Sequence, residues 1–202
     1  MQNHPLFKNV IKDYQKFFII KKYNKNDMIF NENSECRYLC LVLKGAVLIN
    51  TYTFFEEEYN IITINENDLF GEFLLFHTNP FFLGDVSASK ATELALITKD
   101  KLLSILQNDT TLLNNYLSIM SDKSIALQQK VKILSQKSIK DKVLFFLSET
   151  SKRTKSKIIK IKSKEQLALF LNIPRPSLSR ELIILKNLGL INYSKNYIKL
   201  LD

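Results

Sequence analysis

The chain has 202 residues, 46% of them hydrophobic, which is enough for one large domain or two small domains with hydrophobic cores. Its net charge of +9 is unevenly distributed. Residues 1–110 contain 11 Lys and Arg against 14 Asp and Glu, whereas residues 111–202 contain 18 against 6. The second half therefore carries the excess positive charge, which favours a polyanionic partner for that half.

Neither export nor membrane insertion is predicted. Charged residues interrupt the apolar pattern of the N-terminus, so it does not read as a signal peptide. No apolar run approaches the roughly 20 residues of a membrane helix. We therefore expect a cytoplasmic protein without a membrane partner. Two cysteines, Cys36 and Cys40, are too few for a disulfide scaffold and lack a metal-ligand spacing, so we expect no metal site.

The first half of the chain reads as a short helix followed by many short strands. Apolar residues at helical spacing predict an amphipathic helix over residues 5–18. From about 19 to 100, β-rich runs such as RYLCLVL, AVLIN and LFGEFLLF alternate with turn residues. Asn33, Gly45, Asn67 and Gly71 are candidate corners, because Asn and Gly tolerate positive φ. Strands at this spacing predict an antiparallel barrel or roll.

A short helix over 99–106 and then a long helix from about residue 110 are predicted next. Positions on the long helix step by 4, 3, 4, 3, 4 and 3, which is an a/d seam of about three heptads. The seam residues are Leu113, Leu117, Met120, Ser124, Leu127, Val131 and Leu134. Such a narrow strip favours a two-stranded coiled coil between subunits over an ordinary helix that faces its own core.

Residues 163–200 predict a helix-turn-helix with a wing. Ser163 and Gln166 form a capping box that starts the first helix. Asn172 suits a left-handed C-cap, and Pro174 cannot continue that helix. A second helix opens at Arg175 and Pro176 and ends near Gly189. Two short strands, Leu190–Tyr193 and Tyr197–Leu200, follow as a hairpin.

Polar and basic residues occupy the positions that would face DNA. The second helix turns its leucines inward, so its outward N-terminal part can present side chains to base edges in the major groove. Ser163, Lys164, Lys195 and Lys199 suit phosphate contacts, which position the protein without reading sequence. The predicted DNA-binding residues are Arg175, Pro176, Ser177, Ser179, Arg180, Ser163, Lys164 and Lys195.

The whole chain resembles the Crp–Fnr family of transcription regulators. The resemblance rests on RPSLSREL (175–182) and LKNLGLI (185–191), together with LVLKGAV (41–47) and DLFGEFLLF (68–76). It implies an α+β fold: an antiparallel β-roll effector domain like a cyclic-nucleotide-binding jelly roll (1–109), a dimerisation helix (110–137) and a winged helix-turn-helix domain (138–202). It further implies base contacts by Arg175, Ser179 and Arg180, a homodimer on palindromic double-stranded DNA, and RNA polymerase as a further candidate partner of an activator.

Two positions depart from the pattern of the family. Pro176 replaces a Glu with which many members accept a hydrogen bond from cytosine, so the half-site is expected to differ. The predicted effector pocket consists of Gly71, Glu72, Phe82 and Leu83. Phe82 and Leu83 stand where cyclic-nucleotide-binding members have Arg and Ser. A phosphate buried without a cation is costly, so we predict that cyclic AMP is not the effector.

No cofactor is predicted. Two cysteines cannot hold the iron–sulfur cluster of oxygen-sensing members, and neither His4 nor His77 stands out as a haem ligand. An apolar or aromatic small molecule, or no effector at all, remains open, as does a thiol switch at the two cysteines. An alternative function is a small-molecule-binding module whose basic domain contacts a protein or a membrane surface. An enzyme is not expected, because no phosphate loop, nucleophile elbow or paired-His motif is present.

Overall fold

A computed structural model describes residues 4–10, 13–52 and 58–201. They belong to two compact units, Met1–Ser121 and Asp122–Asp202, which we call the N-terminal and C-terminal units. The boundary lies within the long helix predicted from residue 110. Among the described residues, no helix combines the length and apolar character needed to span a bilayer.

The N-terminal unit contains eight described strands. They are β1 (Ile19–Tyr23), β2 (Met28–Phe30), β3 (Tyr38–Lys44), β4 (Ala46–Tyr52), β5 (Glu58–Asn65), β6 (Leu69–Phe70), β7 (Asp85–Ala88) and β8 (Thr92–Thr98). They pair antiparallel in two four-stranded sheets, in the orders β1-β8-β3-β6 and β2-β7-β4-β5. This arrangement confirms the antiparallel roll that the sequence predicts.

Strand β3 shows how the two cores of this unit arise. Leu39 and Leu41 point into a core shared with the helices, while Cys40 and Val42 point into the core between the sheets. Side chains alternate along a strand, so a strand buried on both faces requires an unbroken apolar run. That requirement explains the sequence YLCLVLK, which has no polar alternation before its end.

The predicted corners adopt the predicted backbone. Asn33, Gly45, Asn67 and Gly71 have φ values of 61°, 97°, 65° and 83°. Gly45 is required for a second reason, since a Cβ there would lie 2.6 Å from the carbonyl oxygen of Ala91. The loop between β3 and β4 can therefore be this tight only with glycine.

Two expectations for this unit are wrong. The predicted helix over 5–18 is replaced by two 3-10 turns, Pro5–Phe7 and Gln15–Phe17, with Asn9 at φ 58° after the first. Ile11, part of the predicted stripe, lies outside the described residues. The run LFGEFLLF is not one strand: β6 ends at Phe70, Gly71 turns left-handed, and a short helix α1 (Glu72–Leu75) follows.

Three further helices connect the two units and begin the second. These are α2 (Lys99–Asn108), α3 (Thr110–Leu134) and α4 (Ile139–Thr154). Helix α4 starts at Ser138, whose side chain accepts from the Asp141 N–H, and ends at Lys155 with φ 51°. The sequence predicts a short helix over 99–106 and a long helix from about residue 110, and α2 and α3 confirm both.

The C-terminal unit packs its helices on a three-stranded sheet. It contains β9 (Ile158–Lys160), α5 (Lys164–Leu171), α6 (Arg175–Asn187), β10 (Ile191–Tyr193) and β11 (Tyr197–Leu200). The antiparallel sheet has the order β10-β11-β9. Leu171, Leu178, Leu182 and Leu185 are fully buried at its centre. The helix-turn-helix and the hairpin wing that the sequence predicts are therefore confirmed as elements of the fold.

Candidate nucleic-acid interface and effector region

The turn between α5 and α6 is built by local hydrogen bonds. The Ser163 hydroxyl accepts from the Gln166 N–H at 3.1 Å and so caps α5. Asn172 ends α5 with φ 50°, and the Ile173 N–H donates to the Ala168 carbonyl at 3.1 Å. Pro174 then caps α6, which places Arg175 and Pro176 in its first turn. These bonds fix the direction in which α6 leaves the turn.

Helix α6 has one buried face and one free face. Leu178, Leu182 and Leu185 are 0% exposed, so the opposite side of the helix faces solvent. Arg175, Pro176 and Arg180 are exposed there, and Ser177 and Ser179 are half-buried at the flanks. Within the described part of the chain, neither guanidinium forms a salt bridge. Both are therefore available to a partner.

Sequence reasoning missed two outward residues on the same helix. Ile183 and Ile184 are 51% and 49% exposed, one turn beyond Arg180. A residue three or four positions after Arg180 lies on the same face of an α-helix. The signal in the sequence is an apolar pair that lies outside the register of Leu178, Leu182 and Leu185.

The wing meets the two helices through Tyr193. The Lys164 ammonium lies 4.4 Å from the centroid of the Tyr193 ring, and the Lys186 ammonium lies 5.6 Å from it. Cation–π contacts of this kind hold β10 against α5 and α6. Lys195 is exposed in the turn of the hairpin, whereas Lys164 is half-buried by its contact with the ring.

Helix α3 leaves most of the predicted seam uncovered. Leu117, Leu127, Val131 and Leu134 are 52%, 61%, 57% and 37% exposed, and Ser124 is exposed as well. Leu113 and Met120 differ, since both are half-buried against the core of the N-terminal unit. Leu113 and Met120, in the first part of the seam, thus pack on the core of the N-terminal unit. The later part of the seam presents an apolar strip to solvent.

The four predicted effector residues do not share one environment. Gly71 is left-handed, and a Cβ there would lie 2.7 Å from the carbonyl oxygen of Tyr38. Glu72 is buried at the start of α1. Phe82 is 3% exposed and stacks on Phe30, with ring centroids 4.7 Å apart and planes 12° apart. Leu83 is 75% exposed and points away from this core.

Helix α1 touches the beginning of α3. The rings of Phe76 and Tyr116 meet edge to face, with centroids 6.2 Å apart. Burial, and then the charge of Glu72, raise the pKa of the Tyr116 hydroxyl to about 12. The residues around α1 therefore contact α3 through Phe76, and the charge of Glu72 acts on Tyr116.

The two cysteines are buried, whereas the two histidines differ in exposure. Cys36 and Cys40 are buried free thiols; burial raises the pKa of Cys36 to about 11 and that of Cys40 well above its usual value. His4 accepts from the Leu6 N–H, and His77 is exposed. Within residues 4–10, 13–52 and 58–201, no group of three His, Cys, Asp or Glu is placed to hold a metal.

Comparisons with known proteins identify the fold. Residues 20–109 match the family described as cyclic nucleotide-binding domain. A search of curated protein sequences gives no significant match. Among solved structures, the catabolite activator protein of Thermus thermophilus has a TM-score of 0.57 at 18% identity, covering 98% of this chain and 93% of that one.

Two further structures agree over nearly the full length. A CooA variant from Carboxydothermus hydrogenoformans has a TM-score of 0.66 at 18% identity, covering 100% of this chain and 93% of its own. The regulator CLP of Xanthomonas campestris, described as responsive to c-di-GMP, has a TM-score of 0.59 at 18% identity, with coverages of 94% and 96%.

The chain therefore has the fold of the Crp–Fnr transcription regulators, and the match to the cyclic nucleotide-binding domain lies within its N-terminal unit. The fold that the resemblance in the sequence implies is confirmed. The structural neighbours are regulators rather than enzymes, so the enzyme hypothesis gains no support from the comparisons.

Proposed function

We propose that the chain is a transcription regulator that reads DNA sequence with α6 in the major groove. The observation that carries this proposal is the solvent-facing side of α6, where Arg175 and Arg180 are exposed and form no salt bridge with any described residue, while the opposite face is buried. A guanidinium can donate two hydrogen bonds to the O6 and N7 atoms of guanine. The remaining predicted DNA contacts belong to the same proposal: Pro176, Ser177, Ser179, Ser163, Lys164 and Lys195.

Ile183 and Ile184 extend the proposed readout. Their exposed methyl groups follow Arg180 on the same face and offer an apolar contact to the C5 methyl of thymine. The expected half-site therefore contains guanine for an arginine and thymine beyond it along the helix.

The proposed active species is a homodimer joined along α3. The exposed strip formed by Leu117, Leu127 and Val131 supports it, because a second copy would remove these side chains from water. Two-fold symmetry would then place two recognition helices about one DNA turn apart, about 34 Å, on a palindromic operator. The division into a sensor (1–109), a dimerisation helix (110–137) and a DNA-binding domain (138–202) belongs to this proposal.

Selection from a random duplex library tests sequence reading. Full-length protein should enrich a two-fold symmetric sequence whose half-site centres are about one helical turn apart. Enrichment of no sequence, with retained affinity for any duplex, would support the alternative of a basic module that binds polyanions or other surfaces without reading bases.

We propose that the effector of this regulator is not cyclic AMP. The position that would need a cation is held by Phe82, whose ring fills the core against Phe30. Calorimetry with cyclic AMP should give no heat of specific binding, and saturable tight binding would contradict the proposal.

Effector binding near Glu72 could reach α3 through the contact between the rings of Phe76 and Tyr116. RNA polymerase stays a predicted partner.

A further inference from the structure

The C-terminal unit contains an open groove of about 540 Å³. Its walls are the second half of α3, helix α4 and the segment from β9 through α5. Phe145, Phe146 and Phe170 line it, and the ring centroids of Phe146 and Phe170 lie 5.5 Å apart. The groove is separate in the chain from Gly71–Leu83, where the sequence predicts the effector.

Lys130 fixes one wall of this groove. Its ammonium lies 4.4 Å from the centroid of the Phe170 ring and donates to the Phe170 carbonyl oxygen. Burial lowers the pKa of this amine, which is consistent with its position between α3 and α5. The contact ties the two helices together, so the aromatic surface is a defined part of the unit.

The rim of the groove is strongly basic. Four cations line it: Lys132, Arg153, Lys160 and Lys162. Glu149 is the acidic residue among the groove's lining residues, and its carboxylate pairs with Lys152 at 2.9 Å. An unbalanced positive charge therefore surrounds an apolar aromatic floor.

We propose that this groove binds a small aromatic anion, with its ring against the phenylalanines and its carboxylate or sulfonate toward the basic rim. Ligand sites of several hundred Å³ combine an apolar surface with a few polar groups that fix orientation, as this groove does. Charge complementarity selects an anion over a neutral or cationic aromatic compound. The site does not depend on whether the chain reads DNA.

Two fluorescent compounds with the same aromatic body test the site. The full chain is titrated with anilinonaphthalene sulfonate and, separately, with phenylnaphthylamine, which lacks the sulfonate. One sulfonate compound should bind per chain, more tightly than the neutral compound. The double variant Arg153→Gln and Lys162→Gln should weaken sulfonate binding about tenfold and leave the neutral compound unchanged. Lys140→Gln, on α4 outside the groove lining, should change neither.

A second variant tests the floor. Phe146→Leu should weaken both compounds, and circular dichroism confirms that this variant and the rim variant remain folded. Equal affinity of the two compounds, or a rim variant that binds the sulfonate like the unmodified chain, overturns the proposal. Fluorescence per chain that falls as the protein concentration rises also overturns it, since a second copy of the chain would then occupy the groove.

Discussion

The two units differ in how their residues relate to the fold they share with Crp–Fnr regulators. In the C-terminal unit, the buried leucines and the exposed Arg175 and Arg180 separate cleanly onto opposite faces of α6. In the N-terminal unit, Phe82 fills the core at a position predicted to line an effector pocket. The proposed DNA-reading end presents a polar surface, whereas the proposed sensing end has an aromatic ring in its core at the position that the resemblance gives to a cation. This difference favours a regulator that contacts DNA as the resemblance implies but binds an effector other than cyclic AMP.

The largest expected effect concerns the strip on α3. The double variant Leu127→Glu and Val131→Glu should convert a dimer into monomers, because charges would face each other across an apolar seam. Operator affinity should fall by at least about a hundredfold, since each monomer contacts one half-site. Analytical ultracentrifugation measures the mass and anisotropy measures the binding. Asp122→Lys, a charge change at an exposed position of the same helix, is the control, and an unchanged mass for the double variant would exclude this interface.

The contrast between Phe82 and Leu83 gives an effect on stability rather than on DNA binding. Phe82→Ala should lower the free energy of unfolding by about 3 to 5 kcal/mol, because it removes a buried ring from the stack on Phe30. Leu83→Ala should change it by less than about 0.5 kcal/mol, as its side chain is exposed. Urea unfolding measures both. Similar losses for the two variants would mean that Phe82 is not a core residue.

The buried thiols provide a test that depends on pH. Thiolate is the reactive form, and the pKa of Cys36 is raised to about 11, so labelling at pH 8 should be at least about a hundredfold slower in folded protein than in urea. The raised pKa also means that the thiol stabilises the fold fully below the unfolded pKa of about 8.5, and that this contribution is lost as the pH rises toward 11. Fast labelling of folded protein at pH 8 would instead favour a thiol switch.

The smallest expected effect tests the proposed contact between Ile183 and the methyl group of thymine. Replacing thymine by uracil in the selected operator removes one methyl group, and the loss should be about fourfold in affinity at a base that Ile183 contacts. Ile183→Ala should bind both operators equally, because its partner methyl no longer matters. If the variant is as sensitive to uracil as the unmodified chain, Ile183 does not contact thymine.

The sequence predicts the C-terminal unit in detail because its signals are local. Ser163, Asn172 and Pro174 each determine a helix end by bonds within a few residues, and the structure places all three as predicted. Lys164 is predicted to contact phosphate, and its cation–π contact, which the sequence does not predict, depends on where the wing brings Tyr193. That contact joins distant segments, so spacing along the chain carries no signal for it.

The N-terminal unit was harder to predict for the same reason. The apolar spacing of residues 5–18 fits a helix, yet tertiary burial of Leu6, Tyr14 and Phe18 is achieved by two short turns. Phe82 and Leu83 are adjacent and both apolar, and tertiary contacts such as the bridge between Glu35 and Phe81 hold the segment that buries Phe82. Two adjacent apolar residues in a sequence do not indicate which of the two side chains is buried.

The central claim is that α6 reads base sequence, and one comparison of two arginines tests it. Binding of the unmodified chain, Arg180→Ala and Arg37→Ala is measured by anisotropy on the selected operator and on a scrambled duplex. Arg37 is exposed in the N-terminal unit and controls for the loss of one charge. We predict that Arg180→Ala lowers operator affinity about ten- to a hundredfold and nearly abolishes the preference over scrambled DNA, while Arg37→Ala changes neither. An Arg180→Ala variant that loses affinity equally for both duplexes would contradict the account.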